Sequence, residues 1–280
     1  MLTHFGPLVG RMWVTPVEFE RLISVMPLIQ VAGHRLEYEW IGSRASGGPT
    51  LVFLHEGLGS VSLWRDFPAA LCRRTSCSGL VYSRRGHGAS DPLDGPRTVR
   101  FMHEEALVVL PALLDAFSIR RPILIGHSDG GSIALIYEGS RTGESAGLIL
   151  EAPHVFVEDL TVKSIARIKA LYENSDLRSR LARHHGECVD PLFRAWTGVW
   201  LSPEFRSWNI EKYLPGVLAP ILILQGLNDE YGTEKQVETI ARIHGPRCET
   251  IMLPACGHTP HVDQRSAAEA AMAAFVARVI

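Results

Sequence analysis

The stretch Ile123-Leu124-Ile125-Gly126-His127-Ser128-Asp129-Gly130-Gly131-Ser132-Ile133-Ala134-Leu135 constrains this chain more than any other. A short apolar run ends in Gly126-His127-Ser128-Asp129-Gly130, and small and apolar residues compatible with a helix follow. The pattern predicts a strand, a very tight turn and a helix, with a serine at the apex. Glycine at 126 and 130 suits an apex whose backbone is strained and crowded by the strand and helix beside it. The serine hydroxyl would project from the top of a sheet, with the helix N-terminus directly behind. An oxygen that becomes negative there would meet backbone N–H groups and the positive end of a helix dipole. G-x-S-x-G alone carries little weight, because glycine and serine are common. Its placement between a β-run and a helix is what matters.

Either side of this stretch, strands and helices alternate. Leu28 to Val31 and Arg35 to Ile41 read as a β-hairpin turning at Ala32-Gly33-His34. Ser43 to Pro49 is a polar, glycine-rich loop, and Thr50 to Leu54 is a near-continuous apolar strand of the kind covered on both faces. His55-Glu56-Gly57-Leu58-Gly59-Ser60 follows, then a helix expected from Leu63 to Arg73. The strand Leu80 to Ser83 leads into Arg84-Arg85-Gly86-His87-Gly88-Ala89-Ser90, and a helical pattern runs from Met102 to Phe117. Further strands are expected at 122–125, 147–150, 220–225 and 249–253, with helices at 234–244 and 266–279. The alternation predicts a mostly parallel sheet wrapped by helices.

Two segments break the rhythm. Residues 1–27 read as an N-terminal extension, with a short helix opening at Pro16 and no recognisable chemistry. Residues 153–215 hold three helical stretches (161–172, 175–184 and 191–200) and no good strand. That is too long for a connection, so a cap over the active face is expected. The core is then 28–152 together with 216–280.

Composition narrows the function classes. Of 280 residues, 46% are hydrophobic and 21% charged, as in an ordinary soluble globular chain. A net charge of −2 argues against a general nucleic-acid or membrane-surface binder. No apolar run approaches the roughly 20 residues of a membrane span, and the N-terminus does not read as a signal peptide. Cys72, Cys77, Cys188, Cys248 and Cys256 form no CxxC pair and leave an odd thiol, which suggests a reduced, cytoplasmic protein. No His, Cys or carboxylate cluster has ligand spacing, so neither a metal nor another cofactor is expected. A small-molecule substrate is the expected partner.

A serine hydroxyl is a poor nucleophile at neutral pH and needs a base, which in turn needs an orienting carboxylate. Two later strand ends supply candidates. Gly226-Leu227-Asn228-Asp229 follows one, with Glu230 and Asp263 as rivals for the carboxylate; Pro254-Ala255-Cys256-Gly257-His258 follows the other, with His261 as the rival base. Both loops fall at C-terminal strand ends, the edge where open α/β sheets place their ligands. Most of the twelve histidines, including His87, His127, His184 and His185, are expected to be bystanders.

The chain resembles the α/β-hydrolase fold family over residues 28–280. Four stretches carry the resemblance: His55 to Gly59, Arg85 to Ser90, the turn around Ser128, and the Asp229 and His258 loops in the order Ser, Asp, His. Gly257-His258-Thr259-Pro260-His261 is similar to the family's closing signature. The resemblance implies an α/β fold with a mostly parallel eight-stranded sheet flanked by helices and a helical cap. It implies Ser128 as nucleophile, His258 as general base and acid, and Asp229 as its orienter. The oxyanion hole would be two backbone N–H groups, of Asp129 and of Gly57, with Leu58 or Glu56 as alternatives to Gly57. Glu56 stands where the family commonly has glycine.

Glu56 and Asp129 flank the serine as an acidic lip. Their carboxylates either make loop hydrogen bonds or accept a cationic group, and Ser128-Asp129-Gly130-Gly131 is similar to hydrolases of amino-acid esters. In the cap, Phe193, Trp196, Trp200, Phe205, Trp208 and Tyr213 at helical spacing fit cap core better than pocket, with Trp196, Trp200 and Leu58 as substrate-contact candidates. The expected reaction is hydrolysis of a small carboxylic ester through an acyl-enzyme. Thioester cleavage and carbon–carbon bond hydrolysis use the same triad, and a non-catalytic ligand-binding receptor is the reading from another class. Cys256 is a poor nucleophile candidate.

Overall fold

A computed structural model describes residues 26–43 and 49–280. The helix expected at Pro16 and most of the loop expected at 43–49 lie outside these residues. Strands β1 (Leu28–Val31) and β2 (His34–Ile41) pair as an antiparallel hairpin. Its two turn residues, Ala32 and Gly33, both have positive φ, the geometry that matches the strand twist. β2 pairs antiparallel with β4 (Ser78–Tyr82), whose other neighbour is β3 (Thr50–Leu54). From there β5 (Ile123–His127), β6 (Gly147–Glu151), β7 (Ile221–Gly226) and β8 (Cys248–Leu253) continue in parallel. The sheet order is β1-β2-β4-β3-β5-β6-β7-β8. This is the mostly parallel eight-stranded α/β sheet that the sequence implies.

Every residue of β3, β4, β5, β6 and β7 is buried, because helices cover both faces. Successive side chains serve opposite layers. Leu54, Leu124 and Leu150 belong to one core, and Phe53, Ile125 and Ile149 to the other.

Helix α1 (Phe67–Thr75) starts later than the expected Leu63. A 3-10 turn, Val61–Trp64, precedes it, and Arg65 takes φ 54 between them. Pro68 accounts for the break, since a residue without an N–H can open a helix but not continue one. A long helix, α2, runs through Phe101–Glu104, a wider π-turn at Glu105–Val109, and Leu110–Ala116. Pro111 has no N–H for the carbonyl four residues before it, which fits the widening there. Helix α3 (Asp129–Ser140) is buried at every position from Asp129 to Glu138, as its apolar, small-residue sequence allows.

Between β6 and β7 the chain forms α4 (Asp159–Asn174), α5 (Leu177–His185) and α6 (Val189–Trp200), close to the three expected helical stretches. They are tied to the strand-end loops by side chains: Thr161 Oγ1 donates to the Tyr231 carbonyl at 2.5 Å, and His185 Nε2 donates to that of Leu58 at 2.8 Å. Helices α7 (Glu234–His244) and α8 (Arg265–Val279) complete the fold. The five cysteines are free. Among the described residues no helix is long and apolar enough to cross a membrane.

Candidate active site

Because β3, β5, β6, β7 and β8 run the same way, their C-terminal ends deliver His55, Ser128, His154, Asp229 and His258 to one edge. There a cavity of about 370 Å³ opens between the strand-end loops and helices α4 to α6.

Ser128 occupies the apex between β5 and α3 with φ 53 and ψ −115. Non-glycine residues rarely hold positive φ, and such backbone costs about 1–3 kcal/mol. Close packing enforces it: a Cβ on Gly126 would lie 2.4 Å from the Gly130 carbonyl oxygen. One on Gly130 would lie 2.0 Å from that of Leu54. Only glycine lets the strand and helix approach this far.

Ser128 Oγ is 2.9 Å from His258 Nε2, and His258 Nδ1 is 2.9 Å from both Asp229 carboxylate oxygens. Asp229 also accepts from Gln225 Nε2 at 2.7 Å, the Tyr231 N–H at 2.7 Å and the Gly232 N–H at 3.2 Å. Burial opposes its charge, but the His258 bond, the His258 charge and the Tyr231 N–H outweigh it and hold the carboxyl at about 2. For His258 burial again opposes the cation. Asp229, with Glu230 and Glu56 behind it, prevails and raises the imidazole above its ordinary value. His127 Nε2 lies 2.7 Å from the His258 carbonyl and anchors that loop.

Two of the rivals have other partners. Asp263 accepts from the Gly257 N–H at 2.9 Å and braces the loop. His261 lines the same cavity but pairs with Glu151 at 2.8 Å, against Trp64 and Phe67. Cys256 is buried, and burial pushes its thiol up to about 11.

The loop after β3 is held in detail. Glu56 bends back so that its carboxylate accepts the Leu58 N–H at 2.5 Å. The N–H groups of Gly57 and Asp129 make no hydrogen bond within the described residues. Trp196 packs on this loop so tightly that a Cβ on Gly57 would lie 2.1 Å from its indole nitrogen. Leu58, Trp196 and Trp200 line the cavity, whereas Phe205 and Trp208 stack on each other in the core and Phe193 stacks on Tyr172. Asp129 is buried, and its Oδ2 has no partner. Burial raises its carboxyl against the pull of Arg84, Arg97 and His258.

Several lining residues escaped sequence reasoning. His154 follows β6, and its ring lies 5.6 Å from that of His258; burial lowers it to about 4. Tyr231 packs on the His258 ring at 4.7 Å. The strand-end rule that found Asp229 and His258 also points to His154 when applied to β6. The supposed bystanders His87 and His185 hold the Gly57 and Leu58 carbonyls at 3.2 and 2.8 Å. Among the described residues no group of three His, Cys, Asp or Glu side chains could hold a metal ion.

Comparison with known proteins places these features in context. A family model described as the alpha/beta hydrolase family matches residues 51–273. An Arabidopsis thaliana protein, alpha/beta hydrolase domain-containing protein WAV2, is 22% identical over 75% of this chain and 64% of its own length. The chain thus spans less than two thirds of that relative. Human monoglyceride lipase is 26% identical over 75% of each chain. The structure of an enol-lactonase from Burkholderia xenovorans superposes with a TM-score of 0.69 at 19% identity, over 90% of this chain and 100% of that one.

Proposed function

The chain belongs to the alpha/beta hydrolase family, and we propose that it is a serine hydrolase cleaving a small carboxylic ester through an acyl-enzyme. The unbroken line of hydrogen bonds from Ser128 Oγ through the His258 ring to Asp229 carries this reading. The lipase and lactonase names of its relatives support the ester class.

In the proposed mechanism Ser128 Oγ attacks the carbonyl carbon as His258 Nε2 takes its proton. The new oxyanion meets the N–H groups of Asp129 and Gly57. Both are unpaired, whereas the Leu58 N–H is already engaged by Glu56. His258 then gives its proton to the leaving alcohol, and water activated by the same nitrogen releases the acid. Helices α4 to α6 act as the cap over the cavity.

The acid limb of the pH profile tests the base. Only neutral His258 accepts the serine proton, so kcat/KM should fall as pH drops through its raised pKa. The midpoint should lie above the ordinary histidine value and shift downward in Asp229→Asn, which removes the charge that raises it. A midpoint below the ordinary value in the wild type would contradict the assignment.

The unpaired Oδ2 of buried Asp129 favours an ammonium group on the substrate, which would supply the missing partner. Glu56 has spent its carboxylate on its own loop and leaves Asp129 as the acidic contact. Asp129→Asn should lower kcat/KM for an amino-acid ester about tenfold or more relative to the matched ester without the amine. Equal losses on the two esters would rule the ammonium contact out.

A further inference from the structure

The His55–Gly59 loop turns on one carbonyl. The Glu56 carbonyl oxygen accepts from His55 Nδ1 at 2.7 Å, Arg84 Nη2 at 2.8 Å and the Gly59 N–H at 3.1 Å. Arg84 also donates through Nη1 to the His55 carbonyl at 2.5 Å. Its own N–H donates to His55 Nε2 at 3.0 Å. A backbone N–H can only donate, so His55 carries its proton on Nδ1, where it reaches the Glu56 oxygen. Arg84 is 1% exposed, an expensive burial for a cation unless its geometry is used.

The C=O of Glu56 and the N–H of Gly57 belong to the same planar peptide and point in opposite directions. Whatever fixes and polarises the carbonyl fixes and polarises the N–H. We propose that Arg84 is a positioning residue for the oxyanion hole: its guanidinium clamps the His55 and Glu56 carbonyls and so aims and strengthens the Gly57 N–H as a donor. This rests on the reading of Gly57 as one of the two oxyanion donors. A charged donor on the carbonyl withdraws electron density through the amide, which makes the N–H a better donor to developing negative charge. The effect grows from ground state to transition state, where the oxygen becomes an anion, so it acts on kcat rather than on substrate binding. Lysine keeps the charge but cannot bridge two carbonyls with a rigid fork.

The test is steady-state kinetics with p-nitrophenyl acetate, a neutral ester that bypasses the acidic lip, on wild type, Arg84→Lys and Arg84→Ala. Each Arg84 variant should lose kcat by about tenfold to a hundredfold, below the 10²–10³ of removing a donor outright, with KM within about twofold. Inhibition by an alkyl boronic acid, which presents a tetrahedral anion at Ser128, should weaken by the same factor as kcat/KM. Guanidinium ion added to Arg84→Ala should restore part of kcat, which a merely structural role would not give. If Arg84→Ala does not fold, Arg84→Lys decides. Variant kcat equal to wild type, or a loss confined to KM, overturns the positioning role while leaving the hydrolase reading intact. Absence of any Ser128-dependent turnover in the wild type would instead overturn the hydrolase reading and this inference with it.

Discussion

Ser128→Ala is expected to lower ester turnover by about 10⁶-fold and to leave the fold intact. Serine, histidine and carboxylate act as one unit, so removing the nucleophile removes the acyl-enzyme route altogether. A residual rate above water should survive through the backbone N–H groups, which alanine at 128 does not disturb. The substitution deletes one oxygen at a site opening on a cavity, and the hydroxyl's partner His258 remains held by Asp229 and by the ring of Tyr231. Thermal unfolding should therefore move by only a few degrees, and the loss is read as kcat at matched folding. Turnover within tenfold of wild type would assign the chemistry to another group.

Asp229→Asn should give the second large effect, a loss of about 10⁴-fold in kcat. Asp229 is an acceptor on both oxygens, and four donors surround it: His258 Nδ1, Gln225 Nε2 and the N–H groups of Tyr231 and Gly232. An asparagine can satisfy the two backbone donors with its oxygen, but its NH₂ then faces His258 Nδ1 and Gln225. That forces the His258 proton onto Nε2, and the ring then presents N–H rather than a lone pair to Ser128. The fold tolerates the change better than the chemistry, because a neutral amide is cheaper to bury than a carboxylate. Stopped-flow or steady-state measurement of kcat on a neutral ester, alongside a melting curve, separates the two. Near-native kcat would mean that another carboxylate orients His258.

The parts of the site visible in the sequence are those fixed locally. The strain at Ser128 needs Gly126 and Gly130 within two residues on either side, so the turn leaves a contiguous mark. Asp229 and His258 each lie a few residues past the C-terminal end of a strand, and the sheet edge rule joins them. The supports behind them depend on partners far apart in the chain. His185 reaches the Leu58 carbonyl across 127 residues, and Arg84 reaches the Glu56 carbonyl across 28. No spacing along the chain marks such pairings. Glu56 could be read as lip or loop from its type, and only its bond to the Leu58 N–H decides for the loop. The late start of α1 had its signal in view at Pro68, and the π-turn inside α2 at Pro111, but apolar periodicity runs across both prolines and masks them.

The role of Ser128 as an activated nucleophile is tested most directly by intact-mass analysis after treatment with a small, unselective fluorophosphonate, which needs no knowledge of the substrate. Wild type should gain one adduct, carried on the peptide containing Ser128, and folded Ser128→Ala should gain none. An unlabelled wild type, or a labelled Ser128→Ala, would contradict it.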